Sequence, residues 1–153
     1  MHLDNFDRHL LKLLQNNSKL TTEQLGDKVG LSATACQRRI KKLRDANVIK
    51  KEVAVLDRIS MGGYVTVIVE IVMKQGGASV MDDFKAQVLQ HDEIQQCYYT
   101  TGDNDFIVIV TVPNMARYEE LTRAVFFKNK NIKKFNSTVV MDNVKLGLNI
   151  PVE

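Results

Sequence analysis

The chain has 153 residues, of which 44% are hydrophobic and 25% are charged, and its formal net charge is +3. This composition is that of an ordinary globular protein, and it excludes a disordered, a collagen-like or a disulfide-stapled chain. No apolar run approaches the ~20 residues that a membrane helix needs, and no signal-peptide pattern opens the chain, so we expect a cytoplasmic protein. Cys36 and Cys97 match no C-x-x-C spacing and are expected to be free thiols, with no metal site and no cofactor.

Positive charge is concentrated near the N-terminus. Residues 1–60 contain twelve Lys and Arg against seven Asp and Glu, whereas residues 61–153 contain nine against eleven. The densest part runs from Arg38 to Lys51, where seven basic residues accompany a single acidic one, Asp45. Such a patch is typical of a nucleic-acid-binding element, although a solvated basic helix face gives the same count. The difference between the halves predicts two domains, 1–60 and 61–153.

Three short helices are predicted in the first domain. Apolar residues recur at helical spacing over about 4–16. Thr21 and Gln24 have the spacing of a capping box and predict the start of a second helix, which Gly30 ends. Ser32 is a good N-cap for a third helix that extends to about Ala46.

The third helix is expected to have one apolar and one polar side. Cys36, Ile40 and Leu43 fall at positions i, i+4 and i+7 and predict a buried face, which leaves hydrogen-bond donors on the other side. Two helices joined by a tight glycine turn, the second basic on its outer side, predict a helix-turn-helix whose second helix enters the major groove of DNA. The candidate DNA-binding residues are Ser32, Thr34, Gln37, Arg38, Arg39, Lys41, Lys42, Arg44 and Lys50.

Residues 48–56 follow the third helix and show a stretch of alternation with two lysines. Alternation of this kind predicts a short strand pair, or wing, beside the DNA backbone. The first domain is therefore expected to be a winged helix-turn-helix.

The second half has the pattern strand, helix, strand, strand, helix, strand. The predicted strands cover 64–73, 94–101, 106–112 and 132–141, and the predicted helices cover 79–90 and 115–127. This order predicts a ferredoxin-like βαββαβ domain, which makes the whole chain an α+β protein. Because so small a domain cannot cover both faces of its sheet, its apolar strands predict a homodimer. A second basic run, Lys128, Lys130, Lys133 and Lys134, is interpreted as solvated, with a minor contact to wrapped DNA as the alternative.

Short motifs resemble one known family along nearly the whole chain. They are Leu3-Asp4, Asp7, Val29-Gly30-Leu31-Ser32, Thr34, Cys36, Arg38-Arg39 and Val48-Ile49 in the first half, and Val69-Glu70-Ile71, Glu93-Ile94, Gly102-Asp103-x-Asp105, Met115, Tyr118 and Val139-Val140-Met141 in the second. This set resembles the Lrp/AsnC family of leucine-responsive and asparagine-responsive transcription regulators. The resemblance implies a DNA-binding helix-turn-helix domain and a ferredoxin-like ligand-sensing domain that dimerises through its sheet, with dimers able to assemble into octamers. It also implies that an amino acid binds between neighbouring dimers, against the loop 102–105.

The residues of this loop suit an amino-acid effector. Asp103 and Asp105 can meet an ammonium group, while backbone N–H groups near Gly102 can meet a carboxylate. The candidate effector-binding residues are Tyr99, Thr100, Thr101, Gly102, Asp103, Asp105, Met115 and Val140. On composition alone the tetrapeptide 102–105 is a good turn sequence, and a calcium loop lacks the Gly and Glu that its spacing requires.

We therefore expect a sequence-specific, DNA-binding transcriptional regulator of a palindromic operator, and not an enzyme, because no acid, base or nucleophile set is evident. Its assembly or its DNA affinity is expected to respond to a small amino acid. Two alternatives stay open: a ligand-blind, DNA-wrapping architectural member of the family, and a metabolite-binding module that does not bind DNA.

Overall fold

The computed structural model describes residues 2–74 and 77–153. The chain forms two compact units, one comprising residues up to Val55 together with 145–153 and the other comprising 56–144. The sequence-based division, 1–60 and 61–153, differs from these units in two respects. The first unit ends at Val55, and the C-terminal segment belongs to it because side chains of the first helix hold that segment.

Three helices make up most of the first unit: α1 (Asn5–Asn16), α2 (Thr22–Val29) and α3 (Ala33–Asp45). Local sequence sets their ends as expected. Asp4 and Asp7 form a capping box at the start of α1, and Thr21 and Gln24 form the predicted one at α2. Gly30 ends α2 in the left-handed conformation, with φ of +75°, which glycine adopts without the steric cost that a Cβ brings.

The three helices share one apolar core. Leu10 of α1, Leu25 of α2, and Cys36 and Ile40 of α3 are all buried and in mutual contact. Each lies on the inward side of an amphipathic helix, so burial of these side chains holds the helices together and turns the polar side of α3 outwards.

The C-terminal segment 145–153 is extended and runs along α1. The Gln15 side chain donates to the Ile150 carbonyl at 3.1 Å and accepts from the Ile150 amide at 2.8 Å. The carboxamide of Gln15 therefore bonds to both the N–H and the C=O group of Ile150. Arg8 also donates to the Glu153 carbonyl at 3.3 Å. These bonds make the segment part of the DNA-binding candidate unit.

The predicted wing is not present as a strand pair. Residues 48–56 have no strand, and the Val48 and Ile49 amides instead donate to the Leu43 carbonyl at the end of α3. Farther along, Val53 and Val55 are 65% and 92% exposed. An alternating segment forms a ladder only when a neighbouring strand hydrogen-bonds to it, and no described strand pairs with residues 48–56.

The second unit has the predicted βαββαβ order. Its elements are β1 (Val65–Met73), α4 (Ala78–Val88), β2 (Ile94–Tyr99), β3 (Phe106–Val112), α5 (Met115–Thr122), which continues as a π-helical turn over Arg123–Phe127, and β4 (Ile132–Val139). The sheet is antiparallel with the strand order β2-β3-β1-β4. This arrangement confirms the α+β class and the ferredoxin-like topology.

One face of the sheet forms the core of this unit, where alternate residues of β1 and β3 pack against α4 and α5. Phe84 of α4 and Phe106 of β3 are fully buried, with ring centroids 4.7 Å apart. The opposite face is only partly covered: Ile68, Ile107 and Ile109 are half-buried on it. This face of the sheet therefore keeps apolar side chains available for packing against another protein surface.

Candidate nucleic-acid interface and ligand loop

The outer side of α3 is a continuous face of hydrogen-bond donors. Thr34, Gln37, Arg38 and Lys41 are exposed and follow helical spacing, so they lie on the same side of α3. The structure thereby brings together four of the sequence-based DNA-binding candidates. Ser32 precedes them as the N-cap, its hydroxyl accepting from the Ala35 amide at 3.2 Å, and therefore fixes where the helix begins.

Arg39 is a sequence-based candidate that the structure places elsewhere. Its guanidinium donates to Asp4 and Asp7 at 2.8 Å each and lies 5.4 Å from the centre of the Phe6 ring. The Asp7 backbone amide and then the Arg39 guanidinium hold the pKa of Asp4 below its ordinary value. Arg39 therefore joins α3 to α1 and is occupied within the chain, a long-range pairing that spacing along α3 does not reveal.

The three remaining basic candidates lie around the end of α3. Arg44 donates to both carboxylate oxygens of Glu52 at 2.9 Å, and its side chain is half-exposed. Lys42 is exposed within the helix, and Lys50 is exposed beyond its end. Among the described residues, Lys42 and Lys50 form no ion pair, whereas Arg44 is paired with the Glu52 carboxylate.

Gly26 is not among the sequence-based candidates, yet it determines how α2 approaches α3. A methyl group on Gly26 would place its carbon 2.4 Å from the Leu31 carbonyl oxygen. The Gly26 carbonyl also accepts from the amides of Gly30 and Leu31, which closes the turn just before Ser32. A glycine inside a predicted helix is the sequence signal for such a close approach.

The β2–β3 hairpin forms the ligand-loop candidate, and hydrogen bonds connect the two sides of its base. The Thr100 amide donates to the Asp105 carbonyl at 2.9 Å, and the Thr100 hydroxyl donates to the Asn104 carbonyl at 2.6 Å. Asp105 is anchored to β1: its amide donates to the Ile71 carbonyl, and its carboxylate accepts from the Met73 amide at 2.7 Å. Asp105 thus supports the hairpin with one carboxylate oxygen, and among the described residues the other oxygen has no hydrogen-bond partner.

The tip of the hairpin is exposed at Thr101, Gly102 and Asp103, and Gly102 has a φ of +113°. Within the described residues, neither the amides of 101–103 nor the Asp103 carboxylate has a hydrogen-bond partner. Free N–H groups beside a free carboxylate can meet both charged ends of a zwitterion.

Tyr99 lies at the other side of this hairpin's base. Its ring centroid is 5.2 Å from that of Phe106, and the Lys85 ammonium lies 5.3 Å from the ring centre. Lys85 is fixed in turn by Asp82 at 2.8 Å. The ring is 61% exposed in a single chain, so it offers an apolar wall next to the loop.

Met115 and Val140, which the sequence analysis grouped with this loop, lie at the opposite end of the sheet. Met115 follows the C-terminal end of β3, whereas the loop precedes its start, and seven strand residues extend over roughly 20 Å. Val140 donates its amide to Thr66, at the start of β1. A single chain therefore does not bring these two side chains into the pocket that was expected around 99–105, because they follow the far ends of their strands.

Other kinds of site find no counterpart in the described residues. Cys36 and Cys97 are free thiols, and across 2–74 and 77–153 no group of three or more His, Cys, Asp or Glu side chains is placed to hold a metal. In the same ranges, no helix combines the length and the hydrophobicity needed to cross a bilayer.

Comparison with known proteins finds one family model in each half of the chain. A model of the AsnC-type helix-turn-helix domain matches residues 3–44, and a model of the Lrp/AsnC ligand binding domain matches residues 66–150. The first match contains all of α1 and α2 and nearly all of α3, and the second contains all of the four-stranded sheet except Val65.

Relatives match over almost their full length. An HTH-type transcriptional regulator of Sinorhizobium fredii is 46% identical over 153 residues, 100% of this chain and 90% of that protein. The leucine-responsive regulatory protein of Salmonella typhimurium is 32% identical over 143 residues, 94% of this chain and 87% of that protein.

Two solved structures have the same fold. An AsnC family transcriptional regulator from Agrobacterium tumefaciens has a TM-score of 0.89 at 33% identity, covering 97% of both chains. A transcriptional regulator of Neisseria meningitidis in complex with L-Met also has a TM-score of 0.89, at 25% identity, covering 98% of this chain and 97% of that one. With its donor-lined α3, its ferredoxin-like second unit and these matches over both, the chain belongs to the Lrp/AsnC family of DNA-binding transcriptional regulators.

Proposed function

We propose that α3 enters the major groove of a palindromic operator, and that an amino acid bound at the loop 99–105 changes the assembly of the protein or its affinity for DNA. The exposed donor face of α3 is the observation that supports this most directly. Gln37 and Arg38 can donate to base edges, while Lys41 and Lys42 can neutralise phosphates on either side. Arg39 is left out of this face because Asp4 and Asp7 occupy it.

The double variant Arg38→Ala with Lys41→Ala tests the assignment of α3. Both side chains are exposed, so the fold should be retained. Operator binding should fall by 100-fold or more, because each half-site loses the Arg38 base contact, at about 1–3 kcal/mol, together with the Lys41 phosphate contact. Lys12→Ala with Lys19→Ala is the matched control, because it removes two exposed positive charges of the same unit outside α3. Gel-shift affinity that survives in the α3 variant, with an unchanged circular dichroism spectrum, would show that another surface binds the operator.

Two copies of the helix-turn-helix are needed for a palindrome, and the open face of the sheet offers a contact between copies. Ile68 and Ile109 are paired neighbours at the middle of this face. If Ile109 is buried against a second copy, Ile109→Lys places a charge in that contact and should prevent association. Light scattering should then give a lower molecular mass than for the original protein. Ala116→Lys, an exposed change on α5, is the control. An unchanged mass for Ile109→Lys would rule out the sheet as the dimer contact. The family resemblance further supports assembly of dimers into an octamer.

The effector part of the proposal depends on the hairpin tip. Its free N–H groups suit the carboxylate of an α-amino acid, and the Asp103 carboxylate suits the ammonium group. Tyr99 supplies an apolar wall for a side chain. A single chain leaves this tip exposed, so a second copy must supply the remaining walls. The L-Met complex of the Neisseria neighbour supports an amino acid as the class of ligand.

Charge-removing variants that keep the shape of the side chain test the loop. Asp103→Asn should abolish the calorimetric heat of amino-acid binding, because it removes the unpaired carboxylate. Asp105→Asn should weaken binding but preserve the hairpin, since its amide oxygen can still accept from Met73. Asp83→Asn, an exposed acid on α4, is the control. Unchanged affinity in both loop variants would locate the ligand elsewhere.

A thermal-shift screen of the twenty amino acids separates this proposal from the two alternatives. A stabilising amino acid that also changes the mass in light scattering supports the effector proposal. If no amino acid stabilises the protein while DNA binding is retained, the ligand-blind architectural role is favoured. If ligand binding occurs without any DNA binding, the metabolite-binding module is favoured.

A further inference from the structure

Opposite charges lie at the two ends of the open face of the sheet, on either side of its apolar centre. Ile68 of β1 and Ile109 of β3 are paired at that centre. Thr66 and Glu70 precede and follow Ile68 by two residues, so both project from the same face, each about 7 Å from it along β1. Arg58 covers the Thr66 end, because its guanidinium donates to the Thr66 hydroxyl. One end of the face therefore carries a guanidinium and the other a carboxylate.

A turn before β1 positions Arg58. The Gly63 amide donates to the Arg58 carbonyl at 2.8 Å. The Ser60 amide donates to the Asp57 carboxylate at 2.8 Å in the same turn. Arg58 is half-buried, and among the described residues it forms no ion pair. Since a guanidinium has five N–H donors and Thr66 accepts from one nitrogen, Arg58 keeps donors for an anion.

Neutral groups hold Glu70 at the other end of the face. Its carboxylate oxygens accept from the side-chain amides of Asn104, at 3.3 Å, and Asn136, at 3.4 Å. Lys134 lies diagonally across the β1–β4 ladder, but in the part of the chain that the structure describes no ion pair joins it to Glu70. Glu70 is half-buried, so water screens its charge less than it screens an exposed one, and a close cation would stabilise it.

An unsatisfied hydroxyl adjoins the Arg58 end. Thr111 of β3 is paired directly with Thr66, and its hydroxyl oxygen is buried without a hydrogen-bond partner in the described residues. Native structures rarely leave a buried polar group unpaired, because such a group has lost its water and gained nothing in exchange. A hydroxyl donor beside the Arg58 guanidinium suits a carboxylate that comes from outside the chain.

The direction of the two-fold axis of a dimer decides which ends of the face meet. In an isologous contact both copies use the same surface. With the axis along the strands, Arg58 would face Arg58 and Glu70 would face Glu70. With the axis across the strands, at the level of Ile68, the Arg58 end of each copy faces the Glu70 end of the other. The second arrangement pairs opposite charges, whereas like charges placed opposite each other weaken an interface.

We infer that two copies of the chain pack these faces together with their β1 strands antiparallel, and that Arg58 of each copy pairs with Glu70 of the other beside the Thr111 hydroxyl. This pairing rests on the sheet contact proposed above, and it adds the residues that select the register of the contact. Two equivalent ion pairs then flank the apolar centre, one at each end.

Charge reversals in the full-length chain test the pairing, with molecular mass followed by light scattering over a dilution series. Arg58→Glu and Glu70→Arg should each raise the dissociation constant of the dimer about 100-fold, since each turns two attractive pairs into repulsive ones at about tenfold per pair. Both reversals in one chain should restore the original mass. An equimolar mixture of the two single variants should restore it as well, because both pairs of a mixed dimer again join opposite charges. Recovery in the mixture cannot come from repair within one chain.

Arg123→Glu and Glu119→Arg are the matched control, because these residues form an exposed ion pair on the helical side of the same unit. Alone and mixed, they should leave the mass unchanged. Single reversals at Arg58 and Glu70 that keep the original mass would overturn the pairing, and so would a mixture that does not recover it. Failure of the sheet contact itself is distinguishable, because Ile109→Lys would then also keep the original mass.

Discussion

Replacing Gly26 with alanine should destabilise the helix-turn-helix even though alanine is the better helix former. The new methyl carbon would lie 2.4 Å from the Leu31 carbonyl oxygen, about 1 Å short of the 3.4 Å at which ordinary contact begins. Overpacking of this kind costs about 1–3 kcal/mol, and the gain from helix propensity is about 1 kcal/mol. The group that must move is backbone and not a flexible side chain, so we expect a net loss of about 2 kcal/mol.

For a unit of this size, that loss corresponds to a melting temperature lowered by about 10 °C. Thermal unfolding followed by far-UV circular dichroism measures it. DNA affinity should fall as well, even far below the melting temperature, because Leu31 directly precedes the N-cap Ser32 and its displacement shifts the start of α3.

Gly147→Ala is the matched control, since a methyl group there meets nothing within 4 Å and the backbone has no positive φ. It should leave both the melting temperature and the DNA affinity unchanged. If Gly26→Ala were as stable as the original protein, or more so, the turn between α2 and α3 would be free to relax, and the close approach would not determine the position of α3.

Three further predictions concern stability. Ser32→Ala should cost about 1 kcal/mol in chemical denaturation, because the Ala35 amide loses its acceptor at the start of α3. Phe84→Ala should cost about 3–5 kcal/mol and leave a cavity beside Phe106, which denaturant titration of the second unit would detect. The pKa of Asp4 lies below its ordinary value of 3.8, so its contribution to stability is present above about pH 4 and is lost as the pH falls further. The Asp4→Asn variant should therefore lose less stability than the original protein between pH 5 and pH 3. An identical loss in the two proteins would contradict the hydrogen bonds assigned to Asp4.

Features set by nearby residues were predictable from the sequence. The capping box of Thr21 and Gln24, the left-handed Gly30 and the N-cap Ser32 all lie within three residues of the groups they satisfy, and all are as expected. The strand order of the second unit follows from its alternation of strands and helices, because few topologies connect such elements without crossing.

Features set by distant residues were not predictable. Arg39 has the helical position of a DNA contact, but Asp4 and Asp7, more than thirty positions away, occupy its guanidinium. Met115 and Val140 were grouped with the ligand loop on residue type, whereas the ends of β3 and β4 place them at the other end of the sheet. The segment 48–56 has the alternation of a strand but no neighbour with which to pair, since pairing is a property of two segments and not of one.

The C-terminal segment has a consequence for dissecting the protein genetically. The DNA-binding unit is discontinuous in sequence: it begins at the N-terminus and is completed by residues 145–153, which follow the entire sensing unit. A fragment that stops at Val55 would leave the Gln15 amide and the Arg8 guanidinium without the backbone partners they have in the full chain. A chimera that joins this helix-turn-helix to a foreign sensing domain must therefore carry the last nine residues at its far end. Removal of residues 145–153 would therefore affect the N-terminal helix-turn-helix unit before the sensing unit.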